Sequence, residues 1–310
     1  MDNIHRLDAS LYVPGIHPDL AQVLRGAHHS APQSIIVCTE DAISESDVDL
    51  ALDRLHSILR YLPSLSDGPL RFIRPRSPSV LRQLLRMPGI ERVHGFVIPK
   101  SDGDTLPAYL RTLGRRPFHL MPILETAAVF EREGIQGIRD VLQPASVKSR
   151  ILSLRIGGND LLRLLGLKRF PGHTIYETPV GALIPLLVMA FKPHGFRLTG
   201  VACDEYANAD LLRLEARRDR LMGLVGKTAV HPCQVPVIQQ EFRPSSSDLE
   251  AARSIIAEAS GGAFGLNGVM LEPAVHLAWA TDVVDAAQSQ RGFGLTESEA
   301  YPRLQSAGAT

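Results

Sequence analysis

Eight short apolar runs, each closed by glycine, proline or a polar cluster, restrict the folds that this chain can form. Such runs, rich in Val, Ile, Leu and Phe, are typical of strands that are buried on both faces. Amphipathic helical patterns separate them, and the clearest covers residues 46–62. In chain order the runs cover residues 11–15, 34–42, 70–75, 94–100, 119–126, 151–160, 197–204 and 223–232.

The alternation of strand and helix predicts an α/β protein with a parallel sheet and crossover helices. Eight such units close most economically as a (β/α)8 TIM barrel. An open doubly wound sheet is the alternative, but no G-x-G-x-x-G follows the first strand, where a dinucleotide fold needs it. We therefore expect a barrel over residues 1–243. Two helical patterns within residues 244–310, joined by the glycine-rich stretch 261–268, predict a C-terminal helical extension.

The charge balance and the cysteines limit the partners and the compartment that we expect. Thirty-three basic residues balance thirty-three acidic ones, so no net field attracts nucleic acid or an anionic membrane. The start, MDNIHRLDAS, lacks the apolar segment of a signal peptide, and the longest apolar run, residues 180–191, is too short to span a bilayer. Three widely spaced cysteines in strand-like runs predict buried thiols in a reducing compartment. The sequence thus predicts a cytoplasmic protein that acts on a small molecule and binds neither nucleic acid nor membrane.

The residues that end the predicted strands are charged or titratable. In a TIM barrel, catalytic groups stand at the carboxyl ends of the strands. A single charge where a strand surfaces is ordinary, and Asp160 would also suit the cap of the next helix. The full set of strand-end residues is Glu40, Asp41, Arg74, Arg76, Lys100, Glu125, Asp160, Asp204 and His231.

Glu125 and Asp160 are the most informative pair among these residues. They end successive strands, so a barrel places the two carboxylates side by side over its axis. Carboxylates so close repel each other, and a divalent cation removes that cost. Ligands that are all oxygen favour Mg²⁺, which usually takes one or two carboxylates and keeps positions for water and substrate. The sequence therefore predicts a magnesium site at Glu125 and Asp160.

The groups near this predicted metal site suit an anionic substrate. The guanidinium groups of Arg74 and Arg76 can each bind a carboxylate through two hydrogen bonds. The Gly157-Gly158 corner lets backbone N–H groups approach an anion closely. We expect an electrostatic or structural role for Lys100 rather than a Schiff base, because a metal site makes that nucleophile redundant.

The same residues lie in motifs that resemble those of the citrate lyase beta subunit and its relatives. These relatives are metal-dependent carbon–carbon bond lyases that include malyl-CoA lyase and the HpcH/HpaI-type 2-oxo acid aldolases. SLYVPG resembles the family's S-L-F-V-P-G, CTEDAI resembles D-L-E-D-A-V, and FIRPRS resembles V-R-V-N. Counterparts follow in the expected order for VIPK, ILET, GGND, GKTAVHPCQV and NGVMLEP. The resemblance covers nearly the whole chain and implies a TIM barrel.

The resemblance implies roles for the central residues of these motifs. Glu125 and Asp160 match the two carboxylates that bind Mg²⁺ in the family. Arg74 matches the arginine that grips the substrate's carboxylate or carbonyl oxygen. Residues 157–160, with Gly157, Gly158 and Asn159, match the loop whose backbone amides hold the 2-oxo acid.

Three acidic residues are implied to assist the reaction. Glu40 and Asp41 match an acidic pair near the water molecules of the metal. Glu272 falls where relatives carry an aspartate that handles protons in the site of a neighbouring subunit. The family's assembly implies a homo-oligomer, a trimer or a hexamer, with the C-terminal helices reaching a neighbour.

Several positions depart from the family's pattern. Cys38 and Thr39 stand where Asp and Leu are usual, and Arg76 stands where Asn is usual. With the GGNDLL, YETPVG and CDEYAN stretches, these changes resemble a divergent branch of lyases associated with tellurite-resistance gene clusters. The additional arginine suggests a substrate with another anionic group.

These features predict a Mg²⁺-dependent lyase that cleaves or forms a carbon–carbon bond in a 2-oxo acid or β-hydroxy acyl substrate, with a CoA thioester as one form. The cleavage leaves an enolate, whose charge the metal and Arg74 would stabilise. A malate synthase-like condensation or a thioester hydrolysis could use the same site. From a different class, the altered motif at the second strand suggests a non-catalytic barrel that senses or scaffolds.

Overall fold

A computed structural model describes residues 3–26 and 32–291, and the chain forms two compact units, Met1–Phe242 and Arg243–Thr310. The first unit contains one sheet of eight parallel strands. All eight apolar runs of the sequence form these strands. They are β1 (Ala9–Pro14), β2 (Ser34–Cys38), β3 (Leu70–Arg74), β4 (Gly95–Ile98), β5 (His119–Leu124), β6 (Leu154–Ile156), β7 (Leu198–Thr199) and β8 (Lys227–Ala229).

The sheet closes into a barrel. The strands follow one another in chain order from β1 to β7, and β8 pairs with β1 on its other side, with Ser10 opposite Thr228. Between β7 and β8 a single parallel bridge joins Gly200 to Lys227, and the Gly200 N–H donates to the Gly226 carbonyl at 2.7 Å. The predicted (β/α)8 barrel is thus confirmed, and the open doubly wound sheet is wrong.

Helices follow the strands and cover the outer surface of the barrel. Their apolar sides, with the outward residues of the strands, form one continuous buried layer. The helices of the first unit are α1 (Leu20–Leu24), α2 (Val48–Ile58), α3 (Pro78–Leu84), α4 (Leu106–Leu113), α5 (Arg132–Leu142), α6 (Ala145–Lys148), α7 (Gly158–Leu164), α8 (Pro179–Phe191), α9 (Ala209–Leu221) and α10 (Gln234–Phe242). None of the helices in the described residues is long and apolar enough to cross a membrane.

The barrel interior is apolar in its lower part and polar at the carboxyl ends of the strands. Ile36, Phe72, Val97 and Met121 belong to a second buried cluster that fills the interior. Because side chains alternate along a strand, the inward position two residues after Phe72 is Arg74. This apolar cluster therefore lies beneath a polar layer at the end where barrels carry their sites.

The second unit contains two helices and a hairpin. These elements are α11 (Ser246–Ala257), β9 (Phe264–Leu266), β10 (Val269–Leu271) and α12 (Pro273–Arg291). Leu249, Ile255 and Val283 belong to its own apolar cluster. The final five residues, SAGAT, whose small and polar composition is typical of a frayed end, lie outside the described residues.

The glycine-rich stretch between the two helices contributes to a β-hairpin. Its strands pair antiparallel, with Val269 opposite Leu266. Asn267 and Gly268 connect them with φ angles of 51° and 78°, the two positive values that a type I′ hairpin turn requires. The Asn-Gly turn therefore forms a β-hairpin where the sequence analysis expected only a loop between two helices.

Cys38 and Cys203 are buried, as expected, but Cys233 is exposed and the prediction of a buried thiol there is wrong. Cys233 lies in the loop after β8, where its Sγ stands 3.0 Å from Nδ1 of His231. The His231 ring stacks on the ring of Tyr206 with centroids 4.7 Å apart. These contacts show that the His231 ring packs against neighbouring loop residues.

Candidate functional site

The carboxyl ends of β2 to β6 bring six of the predicted strand-end residues together at one mouth of the barrel: Glu40, Asp41, Arg74, Lys100, Glu125 and Asp160. A cavity of about 510 Å³ opens there. Its lining combines carboxylates, guanidinium groups and the glycine corner after β6. The polar groups that line it include Asp41, Arg74, Glu125, Arg155, Asn159 and Asp160.

Arg74 is the centre of the ion pairs on the β2 side of the cavity. It ends β3, beside the end of β2, because the register pairs it with Cys38. Its Nη2 forms an ion pair with Glu40, lies 2.7 Å from Oδ2 of Asp41 and lies 3.3 Å from Oε1 of Glu125. One arginine thus holds three carboxylates from two strand ends, which fixes them relative to the cavity.

Lys100 supplies the second cation of the site. Its φ of 48° is rare for a residue with a side chain and marks a constrained backbone after β4. In this conformation its N–H donates to Oε1 of Glu125 at 2.8 Å. Its Nζ lies 2.8 Å from Oδ1 of Asp160 and 3.7 Å from Oε1 of Glu125. The two predicted metal ligands therefore reach a common cation.

The corner after β6 leaves room for Glu125. A Cβ at Gly157 would lie 2.5 Å from Cβ of Glu125 and would collide with its Oε2. The first turn of α7 then places Asp160 beside the same cavity. Only glycine at position 157 allows the Glu125 carboxylate to stand where it meets Asp160.

The donor set fits a magnesium ion better than a metal held entirely by protein. Among the described residues, no group of three or more His, Cys, Asp or Glu side chains is arranged to hold a metal. Glu125 and Asp160 supply two carboxylates on one cation, and Mg²⁺ characteristically takes few protein ligands and completes its shell with water and substrate. Two protein ligands are also too few for a typical zinc site, which uses three or four.

Burial and charge separate the pKa values of the adjacent acids Glu40 and Asp41. Burial, opposed by the charge of Arg74, raises the pKa of Glu40 from 4.5 to about 7. Burial also acts to raise the pKa of Asp41, but its hydrogen bond with Glu40 and the charges of Arg74 and Lys100 outweigh burial and lower it. At neutral pH, therefore, Asp41 is ionised while Glu40 can carry a proton.

The other titratable groups are also shifted by the site. Burial raises the pKa of Glu125, against the opposing charges of Arg74 and Lys100. Burial acts to lower the pKa of Lys100, but the hydrogen bond to Asp160 and the charge of Glu125 raise it. A protonated Lys100 is a poor nucleophile, which agrees with the electrostatic role predicted for it.

Some predicted residues lie apart from the cavity or have other partners. Arg76 does not line the cavity, and its Nη2 donates to the backbone carbonyls of Glu40 and Ile43 at 2.8 and 2.9 Å. The Asn159 side chain lines the cavity and donates to Oδ1 of Asp204 at 3.0 Å. Glu272 lies in the second unit, between β10 and α12, where its N–H donates to the ring of His276.

The sequence analysis missed four polar residues that line the cavity: Tyr12, Arg155, Arg163 and Thr228. Arg163 lies in α7, and each of the other three lies in an apolar run, at an inward position. A charged residue in a run buried on both faces was the available signal for Arg155, since buried charges require partners.

Comparisons with known proteins agree with the barrel fold. A family model for carbon–carbon bond lyases of the TIM-barrel fold matches residues 2–292. A (3S)-malyl-CoA thioesterase of Cereibacter sphaeroides is 25% identical over 262 residues, which cover 82% of this chain and 83% of that protein. A citrate lyase subunit beta-like protein of Deinococcus radiodurans is 26% identical over 292 residues, 86% of this chain and 92% of the relative.

Among solved structures, the chain is similar to the protein CitE from Mycobacterium tuberculosis in complex with magnesium, acetoacetate and coenzyme A. The TM-score is 0.67 at 20% identity, and the match covers 90% of this chain and 97% of that one. At this identity the likeness establishes the barrel fold.

Proposed function

This chain belongs to the carbon–carbon bond lyase family of the TIM-barrel fold, and from that premise we propose that it is a Mg²⁺-dependent lyase acting on a 2-oxo acid or β-hydroxy acyl substrate. The observation that carries the proposal is the convergence of Glu125 and Asp160 on one cation beside Arg74. Membership in a family of enzymes also argues against the hypothesis of a non-catalytic sensor or scaffold.

Glu125 and Asp160 would hold the magnesium ion, and the ion would replace the Lys100 ammonium group between their carboxylates. Within the described residues, Oε1 of Glu125 takes the contacts of Arg74 and Lys100, while its Oε2 faces the Gly157 corner. Bound there, Mg²⁺ would act as a Lewis acid for the negative charge that develops on a substrate oxygen when the carbon–carbon bond breaks.

Arg74 would bind and orient the substrate's oxygen atoms. Its guanidinium is held in place by three carboxylates, so little reorganisation is needed during the reaction. Its Nε is buried and has no hydrogen-bond partner among the described residues. A buried donor without an acceptor costs free energy, which a substrate oxygen would recover. Gly157 and Gly158 would keep the wall beside this oxygen open, and a Cβ at Gly158 would collide with Val201.

Glu40 and Asp41 would move the proton that the reaction requires. The pKa of about 7 lets Glu40 give or take a proton near neutral pH, which is the condition for effective general acid–base catalysis. The ionised Asp41 next to it keeps that proton on Glu40 through their hydrogen bond. This division of an acidic pair into one neutral and one charged member is how a site assigns acid and base roles.

Glu272 would complete the site of a neighbouring subunit in a homo-oligomer. Near it in the sequence, five large apolar side chains of the second unit are exposed, which is typical of a surface that another chain covers. They are Val269, Met270, Val275, Leu277 and Trp279. A trimer or hexamer with shared sites, working in the reducing cytoplasm that the three free thiols suit, is our proposal for its assembly and location.

Thioester hydrolysis is the second candidate, because a malyl-CoA thioesterase matches 82% of the chain at 25% identity. Product analysis separates the two activities. With (3S)-malyl-CoA and Mg²⁺, a lyase yields acetyl-CoA and glyoxylate, whereas a thioesterase yields malate and free CoA. We expect acetyl-CoA and glyoxylate from the parent protein, and neither product from the Glu125→Gln variant. Free thiol release without glyoxylate would instead identify a thioesterase, and no Mg²⁺-dependent turnover of 2-oxo acids or acyl-CoA substrates would contradict the proposal.

A further inference from the structure

Arg155 is a buried arginine that lines the cavity and that the proposed reaction does not use. It is the central residue of β6 and only 2% of its surface is exposed. The register pairs it with Ile123, so it lies one layer of the pleat below Glu125. Its guanidinium is thus placed toward the interior end of the cavity, beneath the proposed metal ligands.

Arg155 has hydrogen-bond partners but lacks a counter-ion. Its Nη2 donates to Oγ1 of Thr228 at 2.6 Å, its Nη1 lies 3.9 Å from Sδ of Met121, and its Cζ lies 5.6 Å from the centre of the Tyr12 ring. Among the described residues, no carboxylate lies within 4.0 Å of its guanidinium nitrogens. Burial raises the pKa of Tyr12, so its hydroxyl stays neutral and leaves the charge of Arg155 uncompensated.

The three other buried arginines of the described residues show that this situation is exceptional. Arg74 has its three carboxylates, and Arg169 lies 2.7 Å from Oε1 of Glu215. Arg71 donates to four backbone carbonyls at the opposite end of the same barrel. A buried charge without such compensation costs several kcal/mol, and a protein keeps it where a ligand supplies the missing partner.

Among the described residues that line the cavity, Arg155 is the cation without a carboxylate partner. Arg74 is compensated by Glu40, Asp41 and Glu125. Arg163, which also lines the cavity, lies 3.1 Å from Oδ1 of Asp160, the atom that Lys100 contacts. The cavity of about 510 Å³ has room for a small molecule that carries a second anionic group. A carboxylate or a phosphate-type group would meet the planar guanidinium through two parallel hydrogen bonds.

We propose that Arg155 determines substrate specificity by binding a second anionic group, a carboxylate or a phosphate-type group, of a 2-oxo acid whose reacting end lies at Glu125 and Asp160. This inference rests on the proposed function. It transfers to Arg155 the role that the sequence suggested for Arg76, whose guanidinium is engaged by the backbone of the loop after β2.

Calorimetric titration of the Mg²⁺-loaded protein with three ligands tests the proposal. Pyruvate carries one anionic group, oxaloacetate adds a second carboxylate, and 3-phosphonopyruvate adds a phosphonate. We expect at least one of the two dianions to bind about tenfold or more tightly than pyruvate, a difference typical of one charge-assisted pair. Arg155→Met should remove that preference and leave pyruvate binding within about twofold. Arg155→Lys, which keeps the charge and loses the planar fork, should fall between them.

A stability measurement distinguishes a binding role from a structural one. Removing an uncompensated buried charge should raise the Tm of the ligand-free Arg155→Met protein. Arg71→Met, the matched control, should lower the Tm because it removes a donor from each of four backbone carbonyls. A lower Tm for Arg155→Met, no preference of the parent protein for either dianion, or a preference that survives in Arg155→Met overturns the inference. Absence of Mg²⁺ binding sensitive to Glu125→Gln instead contradicts the proposed function, so the two failures are distinct.

Discussion

The Nζ atom of Lys100 lies 2.8 Å from Oδ1 of Asp160, so an ammonium group stands where a metal bound to Asp160 would stand. Lys100 is also 3.7 Å from Oε1 of Glu125. A lysine in this place compensates the two carboxylates when no metal is bound. It also competes with the metal, because both cations require the same oxygen atoms.

Lys100→Met should therefore strengthen Mg²⁺ binding and weaken the metal-free fold. Without the ammonium, the repulsion between the acids remains until Mg²⁺ binds, and we expect about tenfold higher Mg²⁺ affinity by calorimetry and a lower Tm without metal. Lys148→Met, in α6, serves as the control because Lys148 contacts the Phe196 ring instead. Weaker Mg²⁺ binding in Lys100→Met would show that Lys100 supports the metal site rather than competing for it.

Gly157→Ala should abolish Mg²⁺ binding because its Cβ would occupy the place of the Glu125 carboxylate. The matched control is Gly137→Ala in α5, where a Cβ meets no atom within 4 Å. Replacing a helical glycine in open space should raise stability by about 1 kcal/mol. Thermal unfolding and Mg²⁺ titration of both variants check this prediction. Unchanged metal binding in Gly157→Ala would mean that Glu125 does not need this corner.

The raised pKa of Glu40 should make the metal-free protein lose stability as the pH rises. The folded state holds a proton on Glu40 between its ordinary pKa of 4.5 and about 7, where the unfolded state has lost it. The free energy of unfolding therefore falls with rising pH across this window, by at most about 1.4 kcal/mol for each unit of pKa difference. Glu40→Gln should reduce this slope in urea unfolding from pH 4.5 to 7 and leave the contribution of Glu125, whose pKa burial also raises. An unchanged slope in this variant would assign the whole effect to another group.

Mixing two inactive variants tests whether Glu272 serves a neighbouring subunit. Glu272→Ala and Arg74→Ala should each abolish turnover. If sites are shared, co-refolding the two in equal amounts should restore up to about a quarter of the activity, since half of the subunits carry each intact residue. Glu272→Ala should still bind Mg²⁺, because the proposed ligands are untouched. No recovery in assembled mixtures would place each site within a single chain.

Sequence patterns predicted the barrel because all eight strands are local apolar runs whose ends are marked by charge or glycine. The convergence of Glu125 and Asp160 followed from strand order alone, since neighbouring parallel strands end at the same edge. Lys100 was harder to place, because its contacts depend on a left-handed backbone that the residue type does not announce. For Arg76, charge alone suggested that the side chain binds the substrate. Its guanidinium instead donates to backbone carbonyls of the loop after β2.

Two other differences have clear physical causes. The hairpin of the second unit comes from Asn267 and Gly268, a short-range signal that was obscured by the surrounding glycines. Arg155 escaped notice because an apolar run hides which of its residues point inward. Only the register of β6 against β5 shows that Arg155 faces the cavity.

Titration calorimetry with Mg²⁺ tests the central claim most directly, because it measures the shared metal independently of any substrate. We predict one Mg²⁺ per chain for the parent protein, and no detectable binding for either Glu125→Gln or Asp160→Asn, each folded by circular dichroism. Each substitution removes one charged oxygen ligand while keeping the side-chain shape. Mg²⁺ binding that persists at the parent affinity in both variants would contradict the account.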